Sequence, residues 1–229
     1  MSEPLHGISS MATRLLLADL AAAFGQQGAG DVRFESVGGV DAARRVAAGE
    51  AFDVVVLASN AIDRLAAASQ VVAGSRVDLA RSGVACCVRA GTPRPAIDTE
   101  AALREAVMAA PSVGYSTGPS GVALMRLFER WGIAAAVASR TVQAPPGVPV
   151  GTLVARGDVA LGFQQLSELM NLDGIDLLGP LPEAVQITTT FSGGLCTASV
   201  RADAVRQALA FMASPEVASL KQRHGMTAP

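Results

Sequence analysis

The run Val54-Val55-Val56-Leu57-Ala58 carries no polar side chain on either of its alternating faces. A strand that alternates apolar and polar residues can leave one face in water. This one has to be covered on both, which is the signature of a parallel strand buried under helices. The segments around it supply those helices. Residues 5–8 and 32–36 read as strands, and helical patterns follow at 10–24, 39–48 and 61–68. The resulting β-α-β-α-β-α rhythm predicts an α/β domain with a mainly parallel sheet.

The rhythm then changes. Residues 79–89 form one long strand-like stretch containing Gly83, and Gly91-Thr92-Pro93-Arg94-Pro95 breaks it. A second α/β series follows: helix 99–109, strand 112–114, helix 122–131, a Pro-rich break at 143–149, helix 151–156, strand 159–163 and strand 175–178. Residues 185–200 are again strand-like, interrupted by Gly193-Gly194, and two helices at 202–212 and 215–224 end the chain. Two α/β units joined by two long strands predict two lobes. One comprises 1–80 with 190–229 and the other 85–185, with hinge strands near 81–84 and 186–192. A ligand of such a protein is expected between lobes, at strand C-termini and helix N-termini.

Composition narrows the function. Half the residues are apolar, 17% are charged and the net charge is −2. Nucleic-acid binding needs a basic surface or stacking aromatics, and a chain with one Trp, one Tyr and no basic tract offers neither. No apolar run is long enough to span a bilayer. Residues 1–7 lack a basic stretch leading into an apolar one, so the sequence as written reads as cytoplasmic. It would be periplasmic if a leader has been removed. The three cysteines, Cys86, Cys87 and Cys196, have neither disulfide nor metal-ligand spacing and read as small buried hydrophobes. No metal or cofactor is expected.

Three turns share one physical character. Gly114-Tyr-Ser-Thr-Gly-Pro-Ser-Gly121 runs from strand to helix through small hydroxyl and glycine residues. Such a turn leaves helix N–H groups unpaired at the positive end of the helix dipole, a seat for an anion. Ser116, Thr117, Ser120 and Gly121 are its candidate contacts. No Gly-Lys-Ser/Thr follows, so it is not a nucleotide phosphate loop. The stretches around Ser9-Ser10 and Gly38-Gly39 have the same strand-to-helix character, and a weaker candidate lies at Val150. Each also fits ordinary helix capping.

Leu5-His-Gly-Ile-Ser-Ser10, Glu35-Ser-Val-Gly-Gly-Val40, Gly49-Glu-Ala-Phe-Asp-Val-Val-Val56, the 114–121 turn, Gly157-Asp-Val-Ala-Leu-Gly162 and the terminal Ser214-Pro-Glu216 and His224-Gly-Met226 together resemble substrate-binding proteins of molybdate ABC importers. The resemblance covers nearly the whole chain. It implies the type II periplasmic-binding-protein fold, two lobes closing over a ligand, and an importer permease as partner if the protein is exported. It also implies an oxyanion held by hydroxyls and amides at Ser9 or Ser10, Gly38, Gly39, Ser120, Gly121 and Val150. Two departures stand out. Molybdate binders commonly place a serine where Gly38 or Gly39 stands, and a tyrosine where Gln164 or Gln165 stands. An amide both donates and accepts hydrogen bonds, which shifts the expectation towards an organic carboxylate.

The same fold is similar to that of aconitate isomerase, a cofactor-free enzyme acting on a tricarboxylate. The alternative expectation is therefore an isomerase that moves a proton on a small carboxylate, which needs a positioned acid or base. His6, Glu35, Asp41 and Tyr115 are the candidates. Each also has an ordinary structural explanation, as a packed or surface side chain or, for Asp41, a helix-dipole partner. The first reading is binding of a small anion without chemistry.

Overall fold

The computed structural model describes residues 3–28 and 30–229. Met1 and Ser2, part of the 1–7 stretch that lacks a leader pattern in the sequence, and Ala29 lie outside the described residues. In chain order the strands are β1 (Leu5–Ser10), β2 (Val32–Val37), β3 (Val54–Ala58), β4 (Val77–Arg89), β5 (Val113–Tyr115), β6 (Thr141–Gln143), β7 (Leu161–Gln165), β8 (Ile175–Pro180), β9 (Thr188–Leu195) and β10 (Met226–Thr227). The helices are α1 (Arg14–Gln26), α2 (Gly39–Ala47), α3 (Ser59–Ala67), α4 (Glu100–Ala109), α5 (Pro119–Arg130), α6 (Ala134–Val137), α7 (Val150–Arg156), α8 (Leu166–Leu169), α9 (Ala202–Ala213) and α10 (Ala218–Arg223). The chain divides into two compact units, 1–81 with 189–229 and 82–188. Both crossings fall inside strands, β4 and β9.

In the first unit β1 pairs in parallel with β2 and with β3, and β3 pairs antiparallel with β9. The apolar run of β3 is covered on both faces. Val54 and Val56 pack with Leu16, Leu17 and Leu20 of α1 and Leu209 of α9. Val55 and Leu57 pack with Val46 of α2 and Ile62 and Leu65 of α3. β9 continues through Gly193 and Gly194 because helix and loop side chains press on it there. A Cβ on Gly193 would lie 2.3 Å from Leu209, and one on Gly194 2.7 Å from Val71. What reads in the sequence as an interruption is a place where a strand admits close neighbours. The strand itself is shorter than 185–200: a 3-10 turn at Glu183–Val185 precedes it, and it ends at Leu195.

The second unit has β5 parallel to β6 and β7, while β4 is antiparallel to β7 and β8. The sheet is mixed because the long strand β4 enters it against the direction of the βα units. Val84, Cys86 and Val88 face a core built with Leu103, Leu124 and Phe128, whereas Ala85 and Cys87 face one built with Val150, Val154 and Leu169. Cys86 and Cys87 therefore point to opposite faces of the sheet. Both are fully buried, as is Cys196. Burial pushes all three thiols up, Cys87 and Cys196 to about 12, so none forms a thiolate at neutral pH. β7 begins two residues later than the 159–163 expected from sequence, which makes Gln164 and Gln165 the last two residues of the strand.

Candidate functional site

In the first unit Ser9 and Ser10 end β1, and strand alternation gives them different fates. The Ser9 hydroxyl meets the Ser36 hydroxyl at 2.8 Å across the β1–β2 pair and also donates to the Ser10 carbonyl at 3.3 Å. Thr13 Oγ1 donates to the same carbonyl at 3.1 Å. Ser9 is fully buried and its hydroxyl is thus committed to tying the two strand ends together. Ser10 is only 8% exposed, and its Oγ has no hydrogen-bond partner among the described residues. A buried hydroxyl without a partner costs free energy.

The N-terminus of α2 lies beside that hydroxyl. Gly38 occupies the cap position, and no side chain caps the helix. A Cβ on Gly39 would lie 3.5 Å from the Ser10 Cβ. The first amides of α2 and the orphaned hydroxyl are thus neighbours at the positive helix end. Gly38, Gly39 and Ser10 are brought together here; Ser9 stands behind them as support.

The acid–base candidates of this unit are placed elsewhere. His6 is exposed on β1, four residues before Ser10, or roughly 13 Å along the strand. Its ring lies 5.2 Å from that of Phe52. Glu35 is bound to Arg45 at 2.5 and 3.0 Å, and that hydrogen bond holds its carboxyl below the usual range. Arg45 is shared with Glu50 at 2.8 Å. Asp41 pairs with Arg44 within the first turns of α2. The lowered carboxyl of Glu35 makes it a weak base.

In the second unit the 114–121 turn connects β5 to α5, with Gly118 at the cap and Pro119 at the first helical position. Pro119 has no N–H to leave unpaired. Ser116 Oγ and Ser120 Oγ are 3.2 Å apart and bridge the turn, and Ser120 is buried. Gly121 is required by contact: a Cβ there would lie 1.9 Å from the Ser116 carbonyl oxygen. Its amide donates back to the Gly118 carbonyl at 3.0 Å. The polar face of this turn is therefore its hydroxyls, with Thr117 half-buried beside them. Tyr115 precedes the turn and packs against the core of this unit.

Val150 begins α7, but its amide is already occupied. Gln164 Oε1 accepts from the Val150 amide at 2.7 Å and from the Gly151 amide at 3.4 Å, and Gln164 Nε2 donates to Glu168 at 2.8 Å. Gln165, next in the strand, is also buried. Glu168 is absent from the residues that sequence suggests. Burial pushes its carboxyl up to about 7, and the hydrogen bond from Gln164 only partly opposes this. No signal in the sequence marks it: Gln164 ends a strand and Glu168 lies in the short helix that follows, so no helical spacing relates them. Among the described residues no group of three or more His, Cys, Asp or Glu side chains is arranged to hold a metal ion. No helix of the described residues is long and apolar enough to cross a membrane.

Fold and turns together define a bacterial solute-binding architecture. Residues 5–227 match the family model described as bacterial extracellular solute-binding protein, and the chain belongs to that family. It is 40% identical over 183 residues to an aconitate isomerase from Pseudomonas sp., an alignment covering 80% of this chain and 70% of that protein. Among solved structures, the periplasmic molybdate-binding protein of Azotobacter vinelandii superposes with a TM-score of 0.80 at 18% identity, over 98% of this chain and 99% of the other. The sulfate-binding protein SubI of Mycobacterium tuberculosis gives 0.79 at 15% identity, over 98% and 86%. These similarities are ones of fold.

Proposed function

We propose that the chain binds a small organic anion through neutral donors of its first unit, the Ser10 hydroxyl with the first amides of α2. The observation that carries this reading is the buried Ser10 Oγ, unpartnered and next to an uncapped helix N-terminus. A ligand oxygen supplies the hydrogen bond that the fold withholds. The 40% identity to an aconitate isomerase favours an organic carboxylate over a compact oxyanion. Isothermal titration against molybdate, sulfate, citrate and cis- and trans-aconitate tests it. A tricarboxylate is expected to bind 1:1, and Ser10→Ala to weaken that binding by about 1–2 kcal/mol. Tight binding of molybdate with no response to any carboxylate would refute the carboxylate assignment.

A second reading, cofactor-independent isomerisation of a tricarboxylate, is favoured by the 40% identity to an aconitate isomerase. The reaction removes a proton from a methylene next to the double bond and returns one at the far end of the same three-carbon unit, with no change in oxidation state. It calls for a group that ionises near neutrality. Glu168 meets that requirement, whereas Glu35 is held in ion pairs. Incubation of cis- or trans-aconitate in deuterated water, followed by proton NMR, separates the two readings. Isomer interconversion with deuterium uptake marks an enzyme; unchanged ligand that still binds marks a binding protein.

A further inference from the structure

We propose that the second unit carries a separate site for a monocarboxylate with an apolar body, at the end of its sheet away from Ser116 and Gln164. A cavity of about 580 Å³ lies there. Strand register fixes its place. Val88 pairs with Leu161 where β7 begins, and Val84 pairs with Gln165 where β7 ends. The cavity is lined at the Val88–Leu161 end, together with Val159 and Pro111, the residues that lead into β7 and β5. Ser116 follows the opposite end of β5. Four residues of strand, roughly 13 Å, separate the two levels.

The lining has two characters. Val88, Ala106, Pro111, Val159 and Leu161 make apolar walls, and Arg89 and Arg94 bring two guanidinium groups, with no Asp or Glu in the lining. Among the described residues no carboxylate pairs with either arginine; Arg94 donates to the Leu177 carbonyl at 3.0 Å. Arg89 Nη1 lies across Gly157, where a Cβ would come within 3.4 Å of it.

The loop that presents the arginines is pinned. Thr92 Oγ1 donates to the Arg89 carbonyl at 2.6 Å, the Gly91 amide to Asp176 at 3.1 Å and the Ala90 amide to the Gly174 carbonyl at 3.0 Å. Pro93 and Pro95 flank Arg94 and restrict the backbone further. Much of the ordering cost of a charged loop is therefore met before a ligand arrives.

A compact oxyanion would leave the apolar walls in water, and a neutral apolar molecule would leave two cations without a counter-charge. One carboxylate on an apolar body answers both, with the head on the arginines and the body against the valines, leucine and prolines. This assignment is independent of the ligand proposed above.

Octanoate is the probe, with acetate as the head alone and 1-octanol as the body alone. Calorimetry should give 1:1 binding of octanoate, and acetate and 1-octanol should bind at least tenfold more weakly. Nitrogen-15 NMR should place the largest shifts at Ala109, Val159 and Leu161. The double variant Arg89→Gln/Arg94→Gln should lose at least tenfold in affinity. Arg104→Gln, which removes a charge on α4 outside the cavity lining, should not change it. Ala109→Phe, which fills the cavity from α4, should abolish binding and decides the matter if the arginine variant does not fold. Octanoate that fails to bind, binds no better than 1-octanol, or ignores both the arginine and the Ala109 variants overturns the proposal.

Discussion

Gln164 Oε1 stands 2.7 Å from the Val150 amide nitrogen, and so caps α7 with a side chain of the protein itself. Sequence suggests Val150 and Gln164 as two separate contacts to a ligand. In the folded chain they contact each other. The carboxamide does for this helix end what an anion does at an open one, satisfying N–H groups that have no partner within the helix. Glu168, accepting from Gln164 Nε2, fixes which way the carboxamide points.

Gln164→Ala should therefore act first on stability. It leaves two buried amides without an acceptor, and the expected loss is about 1–3 kcal/mol. Urea unfolding at neutral pH reads it as a lower midpoint with an unchanged slope. An unaltered midpoint would mean that solvent or ligand already serves these amides.

The two seat glycines should respond in opposite ways to the same substitution. At Gly121 a methyl group would stand 1.9 Å from a backbone oxygen, so Gly121→Ala must shift the turn between β5 and α5. A cost of about 3 kcal/mol or more is expected, in the upper range for overpacking. At Gly39 the contact with Ser10 would be an ordinary 3.5 Å. Gly39→Ala should leave stability within roughly 1 kcal/mol of the parent, gaining helix propensity. It should still weaken ligand binding, because the new methyl stands against Ser10 at the helix N-terminus. Thermal unfolding and titration of the two variants side by side check both halves.

The order of strands and helices is legible in the sequence because periodicity announces it. The double burial of Val54–Ala58 could be stated from the residues alone. Short elements without a period, α6 and β6, could not. Nor could the start of β7, since Val159 and Ala160 look as strand-like as the residues after them. The serine and glycine turns are visible because a strand-to-helix turn needs such residues, but their partners are not. Ser9 and Ser10 read as equivalent, and only the β1–β2 register shows that one is tied to Ser36 and the other is left without a partner. Glu168 carries no mark in the sequence. Its altered acidity comes from burial, which no local pattern encodes.

That acidity has a consequence for stability against pH. The carboxyl of Glu168 is raised in the folded chain to about 7, above its unfolded value, so the folded state binds the proton more tightly. The stabilisation is fully present below the unfolded value of about 4.3 and is lost as pH rises through about 7. Glu168→Gln keeps a neutral acceptor for Gln164 and removes the titration. The expected outcome is a wild-type stability that declines between about pH 4.5 and 7, and a variant whose profile is flatter over that window. Parallel profiles would assign the decline to other groups.

Lys221 should give the opposite slope at higher pH. Its side chain is fully buried, and its Nζ has no hydrogen-bond partner among the described residues. Burial lowers its pKa in the folded state, so there the unfolded chain binds the proton more tightly. Stability is then reduced at low pH and recovers as pH rises from the lowered value towards the unfolded value of about 10.4. Lys221→Met keeps a long flexible side chain and removes the ammonium. Replacing an unpaired buried charge by a thioether should raise stability at pH 7 by on the order of 1–3 kcal/mol. Urea unfolding of both proteins at pH 7 and at pH 10 tests this, and the advantage of the variant should shrink at the higher pH. A gain of equal size at both values would attribute the effect to packing rather than to charge.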